Sequence, residues 1–270
     1  MSAPTRPVIV VTGASSGIGR DLALTAKGEL VLVARSAEVL AALAQEIAAA
    51  GGTAHVLALD LSDPGSTARL VDFLAASGLH CEVLVNNAGF GLIGRADGLD
   101  RDGQINMLDL NARSLADLTL AVLPGMLHRG RGGVLNVASV ASFLPGPNMA
   151  MYYATKAFVR SFSNALWQEC KGRGVTVTAL CPGPVATAFF TRATGGAAHA
   201  KGPKKKIPLI FRLIPPTTSR DVALAGWAAL AAGKHTIIPG PANRVAAAMT
   251  RFVPQRLLLA AVARFQKARH

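Results

Sequence analysis

The chain has 270 residues, 51% of them hydrophobic and 16% charged, and a formal charge of +13. That length buries a sizeable core as one large α/β domain, and the composition excludes disordered, collagen-like and fibrous classes. The charge invites polyanion binding. Yet the only basic run is Lys204-Lys205-Lys206, with no zinc-finger, RNA-recognition or basic-zipper signature beside it, so no nucleic-acid partner is expected. Acidic carriers and membrane surfaces stay open as partners.

The N-terminal "MSAPTRPVIVVTG" lacks the pattern of a secretory signal, and no apolar stretch reaches the ~18 residues of a spanning helix. Cys81, Cys170 and Cys181 are widely spaced and odd in number, which fits neither a disulfide framework nor a zinc site. A reducing cytoplasm and no metal are the expectations.

Apolar runs then alternate with amphipathic segments. The runs are "VIVVT" at 8–12, "LVLVA" at 30–34, "HVLALD" at 55–60, "EVLVNN" at 82–87, "GVLNVAS" at 133–139 and "VTVTAL" at 175–180. Runs apolar on both faces suit strands covered on both sides. Between them lie helical patterns such as "SAEVLAALAQEIAAAG" from Ser36, with a capping serine in front and glycine behind. The alternation predicts a doubly wound, mostly parallel α/β sheet of Rossmann-like type with helices on both faces. One domain is expected over 1–241. Within it, 188–218 reads as a flap over the substrate, and 242–270 follows as a C-terminal amphipathic helical extension.

The first strand runs into "TGASSGIG", where Gly13, Gly17 and Gly19 permit a tight turn and let backbone N–H groups approach a pyrophosphate at a helix N-terminus. "NNAG" at 86–89 ends the fourth apolar run, where such a sheet has its ligand crevice. Asp60 either accepts from an adenine amine or caps the next helix. At the end of the second run stands Arg35, with no acid near it, which favours the 2′-phosphate of NADP(H) over the 2′-hydroxyl of NAD(H) unless Arg35 is a solvated strand-end charge.

Farther on come Asn111 in "LDLNARS", Ser139 in "NVASVAS", Tyr152 and Lys156 in "MYYATKAF", and "CPGPVAT" at 181–187. In order and interval these motifs, from Pro7 to about Ile238, resemble the compact single-domain branch of the short-chain dehydrogenase/reductase family. The resemblance implies a seven-stranded sheet of order 3-2-1-4-5-6-7 and a homodimer or homotetramer. It implies a catalytic set of Asn111, Ser139, Tyr152 and Lys156, with Asn111 holding a proton-relay water. By the same token the cofactor would be held by Gly13, Ser15, Ser16, Gly17, Ile18, Gly19, Arg35, Asp60, Leu61, Asn87, Ala88, Gly89, Tyr152, Lys156, Pro182, Gly183, Val185 and Thr187.

Hydride transfer to a carbonyl leaves an alkoxide that needs a positioned acid. A tyrosine one helical turn before a lysine has that geometry, and the cation favours the phenolate. Tyr152 and Tyr153 both meet this spacing; the interval from Ser139, by resemblance, selects Tyr152 and leaves Tyr153 as a packing ring. Ser139 would steady the substrate oxygen.

Substrate would enter between "FLPGPNMAM" (143–151) and the flap, so an apolar ketone, aldehyde or oxo-acyl chain is expected, in the reducing direction. Arg129, Arg131, Lys171 and Arg173 would receive an acidic acyl carrier or are simply loop charges. Two departures stand out. The stretch from Gly19 to Arg35 is about one helical turn shorter than the family pattern, which puts the helix packing and the reach of Arg35 in question. In the tail, "PQRLLLAAVARFQKAR" sets Leu257, Leu258, Ala261, Val262 and Phe265 on one face with Arg256 and Lys267 opposite, a face that covers core, meets a subunit or lies on an anionic membrane. The alternative function is therefore a peripheral membrane or scaffold protein with little turnover.

Overall fold

The computed structural model describes residues 5–185, 217–250 and 252–267. Seven strands, β1 (Arg6–Thr12), β2 (Leu30–Ala34), β3 (Ala54–Ala58), β4 (Leu79–Asn86), β5 (Gly132–Val137), β6 (Val175–Leu180) and β7 (Thr236–Ile237), form one sheet. All pairs are parallel and the order is β3-β2-β1-β4-β5-β6-β7, as expected. Strand side chains alternate between faces. Val10, Val31, Leu84, Val134 and Val177 therefore build one core, and Val11, Leu32, Val85, Leu135 and Leu180 the other.

Helices cover both cores. On the first lie α3 (Ser66–Ala76), α5 (Leu115–Arg129) and α6 (Ala150–Glu169), contributing Leu70, Leu118 and Leu166. On the second lie α1 (Gly17–Thr25), α2 (Ala37–Ala49) and α7 (Ser219–Ala231), contributing Leu22, Leu40 and Val222. Helix α4 (Arg101–Leu108) runs through a π-helical turn, Asp109–Ser114, into α5, and α8 (Pro241–Met249) and α9 (Gln255–Lys267) end the chain. No helix among the described residues is long and apolar enough to cross a membrane.

The short α1 does not disturb the sheet. It ends at Thr25, and Ala26 leaves the helix in an extended conformation. Pairing of β1 with β2 runs without a shift from Ile9 opposite Leu30 to Thr12 opposite Val33. Trp227 of α7 ties down the end of the helix, its indole N–H donating to the Leu22 carbonyl and Thr25 Oγ1, each at 3.2 Å. Arg35 therefore stays directly beyond the end of β2.

The strand order reverses at β1, which has β2 on one side and β4 on the other, so the carboxyl ends of β1 and β4 diverge into a crevice. Of the expected flap, only Thr217 and Thr218 are described. Thr217 bridges to Val185, and Thr218 caps α7 by accepting from the Asp221 N–H at 3.0 Å. Thr187 and the rest of the flap lie outside the described residues, as do the side chains of Phe265 and Lys267.

Candidate active site

At the crevice, a staple joins β1 to β4. Thr12 Oγ1 accepts from the N–H groups of Asn87 (2.9 Å) and Ala88 (3.1 Å) and donates to the Val85 carbonyl at 3.1 Å. The Asn87 amide returns the contact, donating to the carbonyls of Thr12 (3.0 Å) and Gly13 (3.2 Å). Gly13 has φ 64°, where a side chain is strained, and a Cβ there would lie 2.8 Å from Asn87 Nδ2. A Cβ on Gly19 would collide with that same amide and with the Gly13 carbonyl. The glycines therefore keep an open cradle in front of α1, whose dipole favours an anion there.

The cradle is one end of a cavity of about 1130 Å³. Arg35 stands near its rim, 77% exposed, with Nη1 3.9 Å from Asp60 Oδ2. Asp60 Oδ1 accepts from the Ser62 N–H (3.0 Å) and hydroxyl (2.7 Å). Burial pushes the Asp60 carboxyl up, but those bonds and the Arg35 charge outweigh it and hold it below its usual range. Asp60 is thus a cap of the turn toward α3, with Oδ2 turned to Arg35.

At the other end lie Ser139, Tyr152 and Lys156. Ser139 follows β5 and caps the 3₁₀ turn Val140–Phe143, its oxygen accepting from the Ala141 N–H at 3.1 Å. Tyr152, in the first turn of α6, hydrogen-bonds to Ser139, and burial drives its phenol up to about 12 despite that bond. Lys156, one turn later, is 6% exposed. Its Nζ donates to the Val137 carbonyl at 2.8 Å and lies 6.0 Å from the centre of the Tyr152 ring. Burial brings this lysine down to about 8. The protein alone thus keeps Tyr152 protonated at neutral pH, because desolvation outweighs the lowering by the Ser139 bond.

Every expected site residue among those described reaches the cavity wall except Gly19 and Asn111. Gly19 packs behind the cradle. Asn111 sits buried in the π-helical turn, where Oδ1 accepts from the Phe90 N–H at 3.0 Å and Nδ2 donates to the Phe90 carbonyl at 2.8 Å. Its amide thereby fixes the loop after β4, and Nδ2 also donates to Thr155 Oγ1 at 3.3 Å. A Cβ on Gly89, in that loop, would lie 2.8 Å from Asn111 Oδ1 and 3.7 Å from Lys156 Nζ.

The family model for short chain dehydrogenase matches residues 7–196. The chain is a short-chain dehydrogenase/reductase. It is 34% identical over 221 residues to sulfoacetaldehyde reductase 2 of Chromohalobacter salexigens, with 80% of this chain and 85% of that one covered. It is 33% identical over 224 residues to an NADP-dependent 3-hydroxy acid dehydrogenase of Salmonella typhi, covering 82% and 87%. Among solved structures, a short-chain dehydrogenase from Sphingobium yanoikuyae in complex with NADPH matches with a TM-score of 0.75 at 29% identity, over 93% of this chain and 95% of that one. The chain is accordingly an oxidoreductase of the CH–OH/C=O class.

Residues that motif reading passes over also reach the cavity. Asn243, Ala246 and Ala247 of α8 and Ala261 and Val262 of α9 line the same cavity. The Asn243 amide donates to the Pro239 carbonyl at 2.8 Å and packs so closely on Gly183 that a Cβ there would collide with it. Their only signal in the sequence is an apolar stripe in the tail. Tyr153 lines the cavity as well, its ring packed on Gly146.

Proposed function

We propose that this reductase transfers a hydride between NADP(H) and the carbonyl carbon of an apolar ketone, aldehyde or oxo-acyl compound, with Tyr152 as the acid and base. The observation that carries the reading is a protonated, half-buried Tyr152 bonded to Ser139 and followed one turn later by buried Lys156, in the wall of a cavity that begins at a glycine cradle.

The residues present fit a dinucleotide. The cradle from Gly13 to Ile18 would hold the pyrophosphate, Arg35 the 2′-phosphate, and Asn87 to Gly89 with Pro182 to Val185 the nicotinamide half, joined by Thr187. An NADP-dependent relative and an NADPH-bound neighbour support the phosphate-bearing form. When bound, the reduced cofactor supplies the hydride.

What the chain supplies is the proton and its control. A phenol at about 12 is protonated at neutral pH and still far more acidic than an alkoxide, so proton transfer from Tyr152 to the reduced oxygen runs downhill. Ser139 would donate to the same oxygen and fix its position. The Lys156 ammonium would stabilise the phenolate once formed, and its lowered pKa lets it pass a proton on toward solvent. Asn111 acts through Phe90, holding the loop that carries Gly89.

The wall supports an apolar substrate. Val140, Leu144, Met149, Tyr153 and Ala246 line the cavity. Its lysines and arginines among the described residues are Lys156, committed to Val137, and Arg35, beside Asp60. Among the described residues a sulfonate or carboxylate would find no free cation there, and an unpaired buried anion is costly.

The test is NADPH consumption over a panel of apolar ketones and aldehydes beside sulfoacetaldehyde and 3-oxo acids. The apolar compounds should exceed the anionic ones by at least about tenfold in kcat/KM, ~1.4 kcal/mol in barrier. Tyr152→Phe should lose turnover while binding NADPH nearly as tightly. A variant that keeps more than about a tenth of the rate, or a panel led by the anions, would overturn the reading.

A further inference from the structure

We infer that the outer face of α8 and α9 is a docking surface for an anionic lipid bilayer, placing the mouth of the cavity against the membrane. The inference concerns the surface and stands apart from the identity of the substrate.

The charge of the chain is segregated. After Glu169 the only acidic residue is Asp221, against sixteen of the 28 lysines and arginines; before it, acidic residues slightly outnumber basic ones. The excess positive charge therefore lies in the last third of the chain, which single motifs and runs do not reveal. Within α8 and α9 the exposed cations among the described residues include Arg244, Arg256 and Arg264, and no acidic residue occurs in either helix.

Apolar side chains stand exposed among these arginines. Phe252 is 79% exposed, Leu257 64%, Val245 62% and Met249 52%. On α8 the cavity takes Asn243, Ala246 and Ala247, while Val245 and Met249, one turn apart, share the opposite face. The chain then turns over the helix end, the Phe252 N–H donating to the Met249 carbonyl at 3.1 Å, which keeps Phe252 next to that face. On α9, Leu257, Ala260, Ala261 and Arg264 are exposed and share one stripe, with Arg256 beside it. Ala261 also lines the cavity, so the stripe adjoins its mouth.

Nucleic acid would use the cations but gain nothing from an exposed Phe, Leu, Val and Met. A bilayer uses both: apolar residues enter the acyl boundary, and arginines meet anionic headgroups with their stems along the interface. An apolar substrate dissolved in the bilayer would then reach the cavity without crossing water.

Cosedimentation of the full chain with phosphatidylglycerol and with phosphatidylcholine vesicles tests this. Binding should favour the anionic vesicles by at least about tenfold at low salt and fall steeply with added salt. Phe252→Ser with Leu257→Ser, and separately Arg256→Glu with Arg264→Glu, should each lower binding about tenfold or more, while turnover of a water-soluble ketone and the melting temperature stay near wild type. Absence of binding to anionic vesicles, or binding untouched by the apolar pair, overturns the inference. So does a change of oligomeric state in the apolar variant without a change in vesicle binding, which would make the face a contact between copies. Tighter binding to duplex DNA than to vesicles overturns it too.

Discussion

Lys156 Nζ donates to the carbonyl of Val137 at 2.8 Å, two residues before Ser139 on the same strand exit. One bond thereby sets the spacing between α6, which carries Tyr152, and β5, which leads into Ser139. The ammonium is buried to make it, and burial lowers Lys156 from 10.5 to about 8.

That shift has a pH signature. Between about 8 and 10.5 the folded chain has lost a proton that the unfolded chain keeps, so folding stability rises with pH through this window. The contribution is complete above the unfolded value and is lost as pH falls through about 8. Tyr152 acts at higher pH and with opposite sign: its contribution is present below 10 and lost as pH rises through about 12. Lys156→Met removes the first effect. Relative to wild type the variant should be most stable near neutral pH and give up on the order of 2 kcal/mol of that difference by about pH 10. Urea unfolding at the two pH values measures it, and a constant difference would refute a buried, partly deprotonated lysine.

Gly19→Ala probes the cradle from behind. The added methyl meets Asn87 Nδ2 and the Gly13 carbonyl, so the staple between β1 and β4 must open. Overpacking of this kind costs about 1–3 kcal/mol. The variant should also bind NADPH at least about tenfold more weakly, ~1.4 kcal/mol. Gly98→Ala is the control. Its Cβ would have only the Arg95 carbonyl nearby, at 3.7 Å, and stability should change by less than about 0.5 kcal/mol. Equal melting temperatures and NADPH affinities for the two variants would contradict the geometry.

Much of this was legible in the sequence because the physics is local. Strands buried on both faces must be apolar throughout, which exposes β1, β2, β4, β5 and β6 as runs; the cradle needs glycines, and Ser139, Tyr152 and Lys156 keep a recognisable interval. Other features depend on partners distant in sequence. Trp227 of α7 holds the end of α1 from far along the chain, and nothing near either residue announces it. Asn111 spends its amide on Phe90, a choice fixed by the π-helical turn. The amphipathic tail showed that α9 has two faces but not that one would line the site.

Arg35 governs cofactor choice in the proposed reading. Its guanidinium is exposed and lies 3.9 Å from Asp60 Oδ2, so it is anchored loosely and free to meet a 2′-phosphate. A hydrogen bond to a charged group contributes about 1.5–3 kcal/mol. Arg35→Ala should therefore lower kcat/KM with NADPH by roughly tenfold to a hundredfold and leave the NADH value within a few-fold. Steady-state kinetics with both cofactors decides, and unchanged discrimination would remove Arg35 from the site.

Gly146 and Tyr153 form a second tight pair, on the substrate side. Gly146 is buried, and a Cβ there would collide with the Tyr153 ring. That ring stands edge-on to Tyr152, at 6.0 Å and 77°, so its displacement narrows the space next to the acid without removing the acid itself. Gly146→Ala should cost about 1–3 kcal/mol of stability and raise KM for bulky ketones several-fold, with kcat nearly kept. Tyr153→Ala should relieve the clash, so the double variant should be more stable than the sum of the two single effects by about 1 kcal/mol. Urea unfolding of all four proteins gives that coupling. Strict additivity would mean that the methyl is accommodated by backbone movement of the 143–149 loop, and Tyr153 would then have no part in shaping the substrate wall through Gly146.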